Sequence, residues 1–314
     1  MNKNSKIYVA GHTGFIGSAV LATLKNRGYR NLIYKTHKEL DLTNQKKVNA
    51  FFKRSKPEYV FLLAARIGGI YANSTYPAEF IYQNLAIQSD VIHAAYMHGV
   101  KKLIFPGSAC MYPKDCPQPI KEEYLLSGPI EPTNEPFAVA KIAGIKMCQA
   151  YNRQYKTKNI CCVPATAYGP GDHFGLNGHV VSSLIERIHR AKAFGEKEAA
   201  VWGSGKPMRE FIYIDDVVDV LIFLMQKYEG SGIMHIGTGR DISIRGLACL
   251  IKEAIGFRGR LVFDNIKPDG NLRRLLDFKK IKELKWHSNI DLPIGLQLTY
   301  EWYKTQIKNK PIIF

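Results

Sequence analysis

The chain has 314 residues, 46% hydrophobic and 23% charged, the composition of a globular protein long enough to bury a sizeable core. Lysine and arginine number 44 against 27 acidic residues, a net charge of +17, but there is no block of five or six like charges and no basic stripe interleaved with aromatics, which argues against a nucleic-acid partner. No apolar run approaches membrane-spanning length and residues 1–6 lack the apolar core of a signal peptide, so a soluble cytoplasmic protein with no membrane partner is expected.

In chain order, Ile7–Ala10 reads as a strand and residues 14–27 as a helix with apolar Phe15, Ile16, Ala19, Val20 and Leu24. A strand at 32–34, a helix at 44–54 and a continuously apolar strand at 59–64 follow. A long helix is expected at 78–98, a strand at 103–105, a helix at 137–155 and a strand at 160–163. This βαβα rhythm predicts an α/β fold with a doubly wound parallel sheet of Rossmann type. From about residue 169 the rhythm breaks into Gly- and Pro-containing segments with helices at 180–193, 215–227 and 243–255, which reads as a smaller mixed α/β lobe. The expected division is a dinucleotide-binding domain at 1–168, with 211–238 returning to it, and a lobe at 169–210 and 239–314. The six cysteines form no CxxC pair and no zinc-ligand pattern, so they read as free thiols and no metal is expected.

Gly11, Gly14 and Gly17 lie between the first strand and the first helix. In that context the first glycine permits a tight turn, the second lets backbone approach a pyrophosphate, and the third allows close helix–strand packing. The helix start, with Phe15 and Ile16, then offers free N–H groups and a positive dipole end to the phosphates. A ribose-binding carboxylate is usual at the end of the second strand of NAD sites, but here Lys35, His37 and Lys38 precede Glu39. NADP(H) is therefore favoured, with NAD(H) as the alternative. Asp41 and Leu42 fall where an adenine edge commonly rests, and Ala64 and Ala65 lie beside the centre of the cofactor.

Ser108 and Cys110 follow the fourth strand at its carboxyl end, and Phe137 and Lys141 share the start of a helix. With these residues in view the chain resembles the extended short-chain dehydrogenase/reductase family, in its branch of GDP-4-keto-6-deoxymannose 3,5-epimerase/4-reductases, the GDP-L-fucose synthases. The similarity spans almost the whole chain. It is carried by the segments 11–17, 68–70, 76–78, 131–136, 140–146, 151–155, 201–205, 208–211 and 267–270.

The resemblance implies a Ser–Tyr–Lys reductase set, of which Ser108 and Lys141 match and Phe137 occupies the tyrosine position. A phenyl ring has no proton to give a developing C4 alkoxide, so a slow reduction step is expected. Three readings of Phe137 stand: an engineered substitution, a natural departure served by another acid, or a natural loss of reduction. The same resemblance implies an epimerising acid/base pair, matched by Cys110 and His179. It also implies Pro164 on the cofactor, and Arg187, Trp202, Arg209 and Asp269 on the nucleotide sugar. The plainer alternatives are a packing thiol, a helix-start histidine and surface ion pairs. Thr166 stands where the family has a substrate-contacting Asn, and Thr13 and His37 where it often has Arg.

An NADP-dependent epimerase/reductase of a GDP-4-keto-6-deoxy sugar is the expected function. The alternatives are a reductase only or an epimerase only, on a related GDP-4-keto sugar such as a heptose, or a non-catalytic dinucleotide sensor. A homodimer through the helices at 78–98 and 137–155 is also implied.

Overall fold

The computed structural model describes residues 1–175, 178–266 and 269–308; Lys267 and Pro268 of the 267–270 segment lie outside the described residues. Strand β1 (Ile7–Ala10) is buried at all four positions, and its end turns at once into α1 (Phe15–Asn26). The chain continues through β2 (Leu32–Ile33), α2 (Gln45–Ser55), β3 (Tyr59–Leu62), α3 (Ile70–Thr75), α4 (Pro77–Met97) and β4 (Lys102–Pro106). Then come α5 (Glu135–Tyr155), β5 (Asn159–Pro164), β6 (Thr166–Tyr168), α6 (Val180–Ala193), β7 (Glu198–Trp202) and β8 (Met208–Tyr213). The remainder is α7 (Ile214–Lys227), β9 (Ile233–Ile236), β10 (Asp241–Ser243), α8 (Ile244–Ile255), β11 (Arg260–Asp264), β12 (Arg273–Arg274), α9 (Lys279–Glu283) and α10 (Leu292–Lys308).

Six strands form one parallel sheet in the order β2-β1-β3-β4-β5-β9. From β1 the chain steps outward to β2, then crosses back to β3 on the other side. The order therefore reverses at β1 and β3, and a crevice opens there at the carboxyl ends of the strands. Helices α2, α4 and α5 pack in succession over one face, while α1 and α7 pack together over the other. Cover on both faces explains why the strands read as apolar runs without alternation. A second sheet, β10-β8-β12 with β6 also paired to β8, and a parallel pair of β11 and β7 make up the rest.

Local chemistry sets the helix ends. The Asn44 side chain caps α2 by accepting from Lys47 N, and Ser243 caps α8 by accepting from Gly246 N. Helix α8 ends at Gly256, whose φ of +68° suits a residue without a Cβ. Helix α5 approaches the sheet closely at Gly144, where a Cβ would lie 2.6 Å from the Phe105 ring. Buried Gln88 of α4 donates to the Ala140 carbonyl, fixing the first turns of α5 that carry Phe137 and Lys141. Among the described residues, no helix is long and apolar enough to cross a membrane.

Candidate active site

The turn after β1 shows why each glycine is there. Gly11 has φ +85°, and a Cβ on it would sit 2.6 Å from Ala64 N. A Cβ on Gly17 would sit 2.0 Å from the Gly11 carbonyl oxygen, so α1 can start this close to β1 only without one. At Gly14 the nearest protein atom would be 3.4 Å away, an ordinary contact, so the protein itself does not forbid a side chain there. Gly14 is the N-cap of α1, with no side-chain cap and no acid in the first turn. The helix therefore presents uncapped N–H groups to whatever approaches.

From this turn a cleft of about 990 Å³ runs along the carboxyl edge of the sheet. Lys35, His37, Asp41 and Leu42 line one end. Glu39 is occupied there by Lys35 at 2.8 Å and by the Thr36 backbone and hydroxyl; these bonds hold its carboxyl well below the usual range, at about 2. Asp41 is likewise engaged by Thr43, which lowers its pKa. The His37 side chain is 81% exposed. In the middle lie Ala64 and Ala65, followed by Arg66, whose N–H donates to Asn84 Oδ1 and whose carbonyl accepts from Asn84 Nδ2. That clamp from α4 fixes the backbone after β3.

The far end gathers Ser108, Cys110, Phe137, Lys141 and His179. Ser108 starts a short 3-10 turn, and its Oγ accepts from the Cys110 thiol at 3.3 Å. Lys141 Nζ donates to the Pro106 carbonyl at 3.0 Å and lies 4.4 Å from the Phe105 ring centroid and 5.8 Å from that of Phe137. Burial pulls the Lys141 ammonium down to about 8. Burial also pushes the Cys110 thiol up, against the Ser108 hydrogen bond and the nearby Arg274 and Lys141 charges.

His179 occupies the N-cap position of α6 without a side-chain capping bond, and its Nδ1 lies 2.7 Å from Asp172 Oδ1, whose side chain is 1% exposed. The hydrogen bond to Asp172 raises the histidine pKa. It also orients the ring so that Nε2 is the nitrogen left for chemistry. Because the folded-state pKa is raised, the pair contributes stability that is complete below the unfolded histidine pKa and is lost as pH rises through the folded value. Asp172→Asn is expected to lower the apparent His179 pKa and slow proton exchange at the sugar carbons about tenfold. Histidine NMR titration checks the first effect and deuterium incorporation the second.

All the cofactor-side residues expected from the sequence, namely the 11–17 turn, Lys35, His37, Asp41, Leu42, Ala64, Ala65 and Pro164, line this one cleft, as do Thr166 and Arg209. Arg187, Trp202 and Asp269 do not line it. Instead the Arg187 guanidinium lies 4.1 Å over the Trp202 ring and donates to Ser183 Oγ, so one face of the indole carries an arginine. Asp269 accepts from the Ser204 N–H and hydroxyl, and it acts electrostatically on Arg209.

Sequence reading missed Asp172, Asn84, Glu210 and Arg274. Arg274 of β12 and Glu210 of β8 both line the cleft. Glu210, 2% exposed, accepts from the N–H groups of Thr238, Gly239 and Leu276 and so ties β9 and β12 to β8. Glu210→Ala is expected to lower stability by about 3 kcal/mol, because buried donors lose a charged acceptor; urea unfolding measures it. The only sequence signal for Asp172 was the preceding Gly-Pro-Gly turn, which does not foretell a carboxylate meeting a histidine seven residues on.

A glycine turn and helix start at the switch point of a parallel sheet, sharing a cleft with a serine, a buried lysine, a thiol and a carboxylate-paired histidine, define a dinucleotide-dependent enzyme of the short-chain dehydrogenase/reductase type. Residues 7–237 match the NAD dependent epimerase/dehydratase family. The chain is 52% identical over 311 residues to a putative GDP-L-fucose synthase 2 of Arabidopsis thaliana, covering 99% of this chain and 95% of that relative. It is similar to the crystal structure of a GDP-6-OMe-4-keto-L-xylo-heptose reductase of Campylobacter jejuni, with 41% identity, a TM-score of 0.92, and 98% and 99% of the two chains covered. A GDP-mannoheptose C4 reductase of the same organism with NADP bound gives 43%, 0.90, 97% and 99%. The chain belongs to the NAD dependent epimerase/dehydratase family, in the GDP-L-fucose synthase branch of the extended short-chain dehydrogenases/reductases.

Proposed function

We propose that the protein is an NADP(H)-dependent epimerase/reductase of a GDP-4-keto-6-deoxy sugar, with its reduction step slowed by Phe137. The observation that carries this reading is the single cleft joining the glycine turn to Ser108, Cys110, Lys141 and His179. The open Cβ position of Gly14 and the uncapped start of α1 fit a dinucleotide pyrophosphate. Lys35 and His37 line that end of the cleft and fit a 2′-phosphate, for which Lys35 would exchange its pairing with Glu39. When bound, the dinucleotide supplies a hydride to C4 of the sugar.

Ser108 and Lys141 polarise the C4 oxygen. Cys110, as a thiolate whose proton has passed to solvent, takes a proton from a carbon next to the ketone, and protonated His179, held by Asp172, gives one to the opposite face. Arg209 and Arg187 hold the diphosphate, Asp269 keeps Arg209 in place, and Thr166 contacts the sugar. Trp202 stacks on guanine. Residues 1–168 with 211–238 act as the dinucleotide unit, and 169–210 with 239–314 as the nucleotide-sugar lobe. Two copies pair through α4 and α5.

A C4-reductase acting without epimerisation on a GDP-linked heptose is the second reading, favoured by the likeness to the two Campylobacter jejuni reductases. Incubation in deuterated water with a GDP-4-keto sugar separates them: deuterium at C3 and C5 is expected for the first reading, and its absence with reduction retained selects the second. Failure to bind both NADPH and a GDP-sugar rejects the assignment altogether.

A further inference from the structure

Phe137 leaves the C4 oxygen without the phenol that family members place there, so the proton must come from another group in the cleft. Ser108 faces the cleft and its hydroxyl oxygen already accepts a hydrogen bond, from the Cys110 thiol at 3.3 Å. An oxygen that accepts from the sulfur has its own proton free to point elsewhere. Two cations share the cleft with this pair: Lys141 from α5 and Arg274 from β12 both line it, and their charges favour a thiolate at Cys110. Ser108 and Cys110 sit on one 3-10 turn, so their separation is set by local backbone and does not depend on ligand. Tyr82 also lines the cleft, but it is 67% exposed and stands in water.

We propose that in this chain a two-step proton relay replaces the missing phenol: Ser108 protonates the C4 oxygen, and Cys110 reprotonates Ser108. This rests on the reading of the cleft as a reductase site. As C4 accepts hydride, the carbonyl π pair becomes a lone pair on the C4 oxygen, which takes the Ser108 Oγ proton. The O–H bond of Ser108 breaks as its oxygen takes the thiol proton, and the electron pair of the S–H bond stays on sulfur as a thiolate. Lys141 and Arg274 hold that thiolate, and water entering the open cleft returns its proton after product leaves. Burial keeps the thiol protonated in the resting enzyme, which is the state a proton donor needs. Cys110 thus acts through Ser108 in reduction, separately from its part in epimerisation.

The test uses a GDP-4-keto sugar that needs no epimerisation. Cys110→Ala is expected to lower kcat for reduction about 10- to 100-fold with KM little changed. The same substitution made together with Phe137→Tyr is expected to cost about tenfold less, because the phenol then supplies the proton. Ser108→Ala is expected to raise the pH midpoint of Cys110 alkylation, followed site by site by mass spectrometry, through loss of the hydroxyl beside the sulfur. Dichroism and NADPH binding establish that the variants are folded. The relay is overturned if Cys110→Ala reduces as fast as the parent, if its penalty is the same with and without Phe137→Tyr, or if Tyr82→Phe is the change that slows reduction. Failure of NADPH and GDP-sugar binding would instead reject the reductase reading itself.

Discussion

Phe137→Tyr is expected to raise the rate of NADPH-dependent reduction of a GDP-4-keto sugar by about 10² to 10⁴-fold, the usual worth of a positioned general acid. The ring already lines the cleft on the first turn of α5, held there by the Gln88 bond to Ala140. The buried ammonium of Lys141 lies one turn further on, 5.8 Å from the ring centroid. A cation there stabilises the phenolate left after proton transfer. Because burial brings Lys141 down to about 8, that support falls away as pH rises through about 8, and the gain should decline with it. Binding of NADPH and of the sugar should change little, since the substitution adds one hydroxyl and removes nothing. Loss of NADPH absorbance with time measures the rate. Turnover no better than that of the parent would reject the account of residue 137 while leaving the site assignment standing.

Gly17→Ala is expected to abolish dinucleotide binding and to destabilise the fold by about 3 kcal/mol or more, beyond ordinary overpacking. The new Cβ would lie 2.0 Å from the Gly11 carbonyl oxygen, a backbone atom. Gly11 cannot retreat, because its own α-carbon faces Ala64 N, 2.6 Å from where a Cβ would project. The start of α1 must therefore tilt away from β1, carrying its N–H groups out of the crevice. Gly14→Ala is the contrast, since nothing in the protein approaches that Cβ closer than 3.4 Å. It should melt as the parent does yet bind NADPH about 10-fold or more weaker, because only the pyrophosphate meets the methyl group. Thermal melts and fluorescence titration separate the two. Equal melting losses for both substitutions would mean that Gly14 serves the fold and not a ligand.

Much of the candidate site was legible because its parts are local. Gly11, Gly14 and Gly17 are read from turn chemistry beside an apolar strand, and Ser108 and Cys110 from their place after another. Phe137 and Lys141 are read from the resemblance to the family's Ser–Tyr–Lys set, at the start of one helix. Helices at 180–193 and 137–155 are found within two residues at each end, since their apolar periodicity is strong. Strand β2 proved only two residues long, where three were expected, because its edge position gives pairing on one side alone.

Where partners come from distant segments, the sequence was silent. The histidine at 179 looked like a helix-start residue or an acid. Its pairing with Asp172 depends on how the loop between β6 and α6 folds back. Arg274 is one of 44 basic residues, and the pairing of β12 with β8 brings it to the cleft. The stack of Arg187 on Trp202 likewise joins α6 to β7. Periodicity and turn residues are properties of neighbours along the chain, so the amino-acid order alone determined the elements, the glycine turn and the Rossmann class. The strand order that opens the crevice, and the contacts that set the charge states of Cys110, Lys141 and His179, are sums over long-range packing and burial. Only the tertiary structure decided those.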